Sequence, residues 1–259
     1  MHTRTGAIRT ARASRPPGPP PVWVPGREWE GQAAFLIGGG SSLERFDFTL
    51  LTGLNVIGCN DAFHLGPEIV RVCVFGDAGW WHRNKWHLEK YAGRIVTNAP
   101  SLMHLRIPNV QKMKRIRDGI HNHDTLGWNY STGALAINLA ISLGAVKIYL
   151  LGYDLTNVGN KSHWHKYGKA TREFCFSRFL RGFETLKAAL PAGVSVVNVS
   201  DGSSKLNCFE TISFETLLKV IKPDPQASLQ SDVYVQNAME RAENDQSCSN
   251  RGQPTASSV

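Results

Sequence analysis

Residues 131–154 read STGALAINLAISLGAVKIYLLGYD, and this stretch decides the fold. Ser131 and Thr132 place hydroxyl oxygens at a helix start, where such side chains accept from the free N–H groups of the first turn. Ala134 to Leu143 has helical apolar spacing, Gly144 stops it, and Lys147 to Leu151 reads as a buried strand. Gly152-Tyr153-Asp154 sits at that strand's carboxyl end. An apolar helix feeding an uninterrupted apolar strand is the repeating unit of a parallel sheet covered on both faces.

The same alternation recurs on both sides of this stretch. Ala33 to Ile37 reads as a first strand and runs into Gly38-Gly39-Gly40-Ser41-Ser42, with a short helix expected over Leu43 to Leu51. Asn55 to Cys59, Val70 to Phe75 and Arg94 to Thr97 read as further strands. Residues 98–128 have no clear period and are expected to form an irregular insertion with at most one short helix. Thr171 to Leu190 reads as a long amphipathic helix with Phe174, Phe179, Phe183 and Leu186 toward the core. Val194 to Val199 is the last strand, and Phe209 to Ile221 the closing helix. The pattern predicts an α/β class: a single Rossmann-like domain over 28–222, mostly parallel, with helices on both faces.

The ends differ in composition. Residues 1–27 are basic, acid-free and proline-rich, and residues from 223 to 259 are rich in Ser, Gln and Asn. Neither stretch has the apolar period needed to bury itself, so both are expected to be disordered tails. A transit peptide is an alternative reading of the first. The formal net charge is +8, and since the ends contribute +3 (1–30) and −2 (222–259), residues 31–221 carry +7. A basic core implies an anionic ligand or surface. Lys112, Lys114, Arg115 and Arg117 could touch nucleic acid, but a solvated face beside the site accounts for them, and nucleic acid is not the expected partner. The five cysteines have no CxxC spacing and fit a reducing compartment, so a cytoplasmic location is expected. No apolar run reaches membrane-spanning length.

Ligands of open α/β sheets bind outside the carboxyl ends of the strands. There, Gly38, Gly39, Gly40 and Ser41 would let backbone N–H groups approach an anion, with a helix N-terminus behind them. The spacing is neither GxGxxG nor a Walker loop, and a tight turn capped by serine would use the same residues. Asn60 and Asp61 could meet a ribose or base edge, or simply form a turn. Asp77 is similarly placed. Ser131, Thr132 and Gly133 serve equally as a cap and an anion site. His163-Trp164-His165 follows Asp154, and either histidine could be a general base or half of a metal pair, or lie on the surface.

Leu36 to Leu43, Val56 to Asn60, and Ser131 to Leu155 together resemble the bacterial sialyltransferase-like family. The same two blocks are similar to a domain of the archaeal pterin pyrophosphokinase type and to phage proteins, some of which carry a loop like Ser162-His163-Trp164-His165. The sialyltransferase resemblance implies a CMP-sugar donor and no metal cofactor in the chemistry. It also implies that Gly38, Gly40 and Ser41 line the donor phosphate, that Asn60 meets the nucleotide, and that Ser131, Thr132 and Gly133 hold phosphate or ribose. Asp154 would order the site floor, and His165, with His163 as fallback, would deprotonate the acceptor hydroxyl. Asn129 stands where the family has an arginine two positions before the block's hydroxyl residues. The expected partners are a nucleotide-activated donor and a hydroxyl acceptor, a glycan or small molecule. The pyrophosphokinase resemblance implies instead ATP and Mg²⁺ held by carboxylates such as Asp61, Asp77 and Asp154. A binding module without turnover is the third reading.

Overall fold

The computed structural model describes residues 20–157, 161, 163–166 and 171–222. Of the expected tails, residues 1–19 and 223–259 lie outside the described residues. Ala33–Ile37 forms β1, Val56–Cys59 β2, Val72–Phe75 β3, Arg94–Thr97 β4 and Val110–Lys112 β5. Lys114–Ile116 (β6) and Thr125–Gly127 (β7) pair as a small separate sheet, followed by Lys147–Leu151 (β8), Ser195–Val199 (β9) and Glu210–Ile212 (β10). The α-helices are Ala78–Leu88 (α1), Thr132–Ser142 (α2), Glu173–Ala188 (α3) and Phe214–Ile221 (α4).

The main sheet has eight strands in the order β10-β9-β8-β1-β2-β3-β4-β5, and every pairing is parallel. The chain winds outward from β1 to β5, then returns to the other side of β1 with β8 and continues to β10. Winding reverses between β1 and β8, so the loops leaving their carboxyl ends part and open a crevice. This is the α/β architecture expected from the alternation of apolar runs.

Successive side chains point to opposite faces of a strand, which divides the core in two. Ala34 and Leu36 pack with α2 and α3, whereas Phe35 and Ile37 pack with α1 and α4. Both faces being covered, the strands carry apolar residues at consecutive positions. α2 is buried almost all round: Leu135, Ile137 and Leu139 are fully enclosed, and truncating any of them to alanine would cost about 2–5 kcal/mol. Among the described residues, no helix is long and apolar enough to cross a membrane.

Several local expectations are corrected. Residues 43–51 form no single helix; 3₁₀ turns at Ser41–Leu43 and Phe48–Leu51 stand there, the second capped by Asp47. α1 was not expected, because it buries only Trp80, Trp81 and Leu88 and has no clean apolar stripe. Residues 98–128 hold β5, β6 and β7, each three residues long and too short to show a period. The closing helix begins at Phe214 behind the Ser213 cap, since Glu210–Ile212 extends the sheet as β10. Phe174 is 69% exposed, whereas Phe183 and Leu186 are buried as expected. The folded core also starts before residue 28: Trp23 packs on the α2 face and donates its N–H to Lys112 O (2.7 Å).

Candidate functional site

A cavity of about 690 Å³ opens where β1 and β8 part, and it extends along the carboxyl ends of β2, β3 and β4. That is within the usual range for small-molecule sites. Gly38, Gly39 and Gly40 from β1, Asn60 and Asp61 from β2, and Asp154 beyond β8 line it. So do Ser131, Thr132 and Gly133 at the start of α2, and His163 and His165. Ser41 is brought to the same turn but does not line the cavity; its Oγ is buried without a partner among the described residues.

The glycines are needed for close packing at this turn. A Cβ at Gly40 would stand 2.5 Å from Asp154 Cγ, and one at Gly39 would stand 2.7 Å from His163 Nδ1. Asp154, itself buried, accepts from Ser42 N–H (2.8 Å) and Ser42 Oγ–H (2.6 Å). It therefore holds the 3₁₀ turn that replaces the expected helix. A turn of this length has no substantial macrodipole, so the helix-end argument does not apply at residues 38–42. It does apply at α2, which spans Thr132–Ser142 behind a Ser131 cap whose Oγ accepts from Ala134 N–H (3.1 Å). Gly38 N–H donates to Leu151 O and Gly40 N–H to Gly152 O, both 2.8 Å, while Gly39 N–H has no acceptor among the described residues.

The histidine loop bends at residues 164–166, and its side chains divide between two sides. Trp164 Nε1 donates to Gly38 O (2.9 Å), its N–H donates to Gly39 O (3.0 Å), and its ring lies 4.7 Å from that of Phe48. His163 and His165 stack on each other with ring centroids 5.1 Å apart and planes 3° apart, and both line the cavity. His163 Nε2 also lies 3.4 Å from Thr171 Oγ1. The tryptophan thus ties the loop to the glycine turn from one side and leaves the imidazoles on the other.

Backbone strain gathers here. Asn60 (φ 52°), Tyr130 (φ 64°) and Leu155 (φ 51°) are left-handed, and all three line the cavity. For Tyr and Leu this conformation is uncommon and costs about 1–2 kcal/mol. Strain of this kind concentrates at binding and catalytic sites. Asn60 Oδ1 is buried with no partner among the described residues. Below it, Tyr153 OH lies 3.6 Å from Cys59 Sγ and donates to Gly133 O (3.3 Å). Burial pushes the Cys59 thiol up to about 12 and raises the Tyr153 phenol well above its ordinary value. Both stay neutral and form a closed floor.

The three carboxylates proposed for Mg²⁺ do not converge. Asp61 accepts from Trp80 Nε1–H (3.1 Å), Asp77 caps α1 through Gly79 N–H (2.7 Å), and Asp154 holds Ser42. Among the described residues, no group of three His, Cys, Asp or Glu is placed to share a metal ion. Asn129 is fully buried and bonds Gly119 through both its amide atoms (2.8 Å each), away from the cavity.

The basic run does not form one cationic face. Lys112 is buried with Nζ on Leu105 O, Lys114 pairs with Asp124, and Arg117 bonds Tyr130 OH (2.9 Å). Arg115 alone of the four lines the cavity, together with Arg83 and Arg178. None of these three arginines stands out in the sequence as a site residue. The only signal was the local excess of positive charge, which does not tell a cavity wall from a solvated face.

No family model matches the chain, and no curated protein matches it. Among solved structures, it is similar to the monofunctional α-2,3-sialyltransferase Cst-I from Campylobacter jejuni at 16% identity and a TM-score of 0.45, over 81% of this chain and 96% of that one. It is also similar to the sialyltransferase CstII from the same organism, in complex with a substrate analogue, cytidine-5'-monophosphate, at 16% identity and a TM-score of 0.40, over 69% of this chain and 83% of that one. A further Campylobacter jejuni α-2,3-sialyltransferase, in apo form, has 16% identity and a TM-score of 0.40, over 71% and 83%. Likenesses of this size do not carry an activity from one chain to another.

Proposed function

We propose that the chain is a transferase that binds a nucleotide-activated donor in the crevice between β1 and β8, of the sialyltransferase-like glycosyltransferase type that the residue blocks resemble. The observation that carries this reading is the juxtaposition at the switch point. Asn60 Oδ1, buried without a partner among the described residues, Gly39 N–H, which has no acceptor among them, and the start of α2 lie beside two histidines that Trp164 holds at the same turn. A buried polar atom without a partner costs about 1–3 kcal/mol, which a ligand supplying that partner recovers.

In this reading, the donor's phosphate meets Gly39 N–H and the first-turn N–H groups of α2, which stabilise the negative charge left on departure. Asn60 takes the nucleoside. His165 accepts the proton of the acceptor hydroxyl as its oxygen attacks the anomeric carbon, and His163 supports it by stacking. No metal enters these steps.

Thermal shift with CMP, UDP, GDP and ATP, with and without Mg²⁺, tests the donor. Asn60→Gly should abolish the nucleotide shift while leaving the melting temperature nearly unchanged, because glycine keeps the left-handed backbone and Oδ1 has no bond to lose among the described residues. On a working donor–acceptor pair, His165→Ala should lower turnover about 10²–10⁴-fold with donor affinity nearly intact, and His163→Ala should do much less. Binding of ATP only with Mg²⁺ would overturn the reading in favour of diphosphate transfer. Nucleotide binding without turnover of any donor would leave a binding module.

A further inference from the structure

The nucleotide reading uses the β8–β1–β2 end of the cavity and assigns nothing to the β3–β4 end, which has its own construction. Arg115 reaches it from β6. Its Nε donates to Asn98 O (3.0 Å), and its Nη2 donates to Asn98 Oδ1 (3.0 Å) and to Gly76 O. The two Nη1 donors have no acceptor among the described residues. The guanidinium lies 4.2 Å from the centroid of the Trp128 ring. Trp128 in turn occupies the space above Gly76, where a Cβ would come within 2.0 Å of the ring. A glycine at the end of β3 is thus what admits the aromatic backing.

Among the described residues, every acceptor that holds Arg115 is neutral. Asp77 attracts it but forms no ion pair with it, and caps α1 instead. Burial lowers its pKa from the ordinary value, yet an arginine remains charged throughout the accessible range. A cation fixed in orientation on an aromatic face, with Nε and Nη2 engaged and both Nη1 donors left over, can give charge-assisted hydrogen bonds from Nη1 to a carboxylate or phosphate oxygen. Arg83 from α1 and Arg178 from α3 also line the cavity and add positive potential.

We propose that the Arg115–Trp128 shelf is a second anion subsite, taking a carboxylate or phosphate group carried by the acceptor. The assignment to the acceptor rests on the donor reading above; the subsite itself does not. β3 stands two strands from β1 and β4 three, so at about 4.8 Å per strand the shelf is roughly 10–14 Å from the glycine turn. One phosphate cannot touch both, and a donor phosphate at the turn leaves the shelf for another group.

Titration of the full chain with glucuronate, glucose 6-phosphate and neutral glucose tests this. The anionic sugars should bind and glucose should not; binding of only one of the two identifies the anion as carboxylate or phosphate. Arg115→Met and Arg115→Gln should each weaken anionic-sugar binding about tenfold or more, with the CMP-induced thermal shift kept. On the wild-type chain, which needs no variant to fold, the same anionic sugars should slow phenylglyoxal modification at Arg115 while glucose does not. Equal binding of all three sugars, unchanged anion binding in both variants, or absence of selective protection would overturn the proposal. So would a variant that weakens CMP as much as the sugars, since Arg115 would then serve the donor. Anion binding that depends on Arg115 without any nucleotide shift would leave the subsite standing and remove the donor reading.

Discussion

Replacing Trp164 tests how the histidines are held in place. Residue 164 is tied down by N–H to Gly39 O (3.0 Å), by Nε1–H to Gly38 O (2.9 Å), and by a ring contact with Phe48 at 4.7 Å. Trp164→Phe removes the indole donor and keeps an aromatic ring. A neutral hydrogen bond contributes about 0.5–1.5 kcal/mol net, so at about 1 kcal/mol the loop detaches roughly fivefold more readily. Trp164→Ala also removes the ring. A fully buried tryptophan truncated to alanine costs about 3–5 kcal/mol, and for this half-buried one about 2 kcal/mol is expected, or roughly 30-fold. The amide of residue 164 is the reporter, because it exchanges with solvent only when its bond to Gly39 O opens. Hydrogen exchange should show its protection falling roughly fivefold in Trp164→Phe and roughly 30-fold in Trp164→Ala, with amides of α2 and β8 much less affected. Unchanged protection at residue 164 in the alanine variant would mean that the tryptophan does not hold the loop. An equal loss throughout α2 would do so too, since the tryptophan would then stabilise the whole core and not the loop.

Asp154→Asn leaves one acceptor for the two Ser42 donors, against Gly40 where nothing can shift easily. A loss of about 2–3 kcal/mol is expected, seen as a fall in melting temperature of roughly 5–10 °C together with loss of any nucleotide shift. The Cys59 thiol is raised from its ordinary 9.0 to about 12 by burial. Between those values the unfolded chain releases a proton that the folded one keeps, so stability should fall as pH rises above about 9. Melting curves should show this slope, and Cys59→Ala should reduce it. Removing residues 1–19 should leave the melting temperature unchanged. Removing 1–27 should lower it by a few degrees, because Trp23 and its bond to Lys112 O go with them; equal melting temperatures would show that Trp23 contributes nothing.

The main strands were legible because a sheet covered on both faces needs apolar residues at consecutive positions. Ala33–Ile37, Val56–Cys59 and Lys147–Leu151 carry that signal without help from any other part of the chain. Caps were legible for the same local reason: Ser131 bonds a backbone group three residues on. α1 was hidden because most of its surface faces solvent, and β5, β6, β7 and β10 because three residues cannot display a period.

For the site, local pattern was enough to put the polar residues at strand ends and at the start of α2. In an open α/β sheet those positions share one edge, whatever the details. Tertiary structure alone decided what each residue does there. Asp154 is committed to Ser42 across 112 positions of chain, and Trp164 to Gly38 across 126. Arg115 is drawn out of a basic run by Trp128 and Gly76, whereas its neighbour Lys112 is buried. None of these pairings leaves a local trace, since a hydrogen bond or ring contact depends on distance in space and residue spacing reports only distance along the chain.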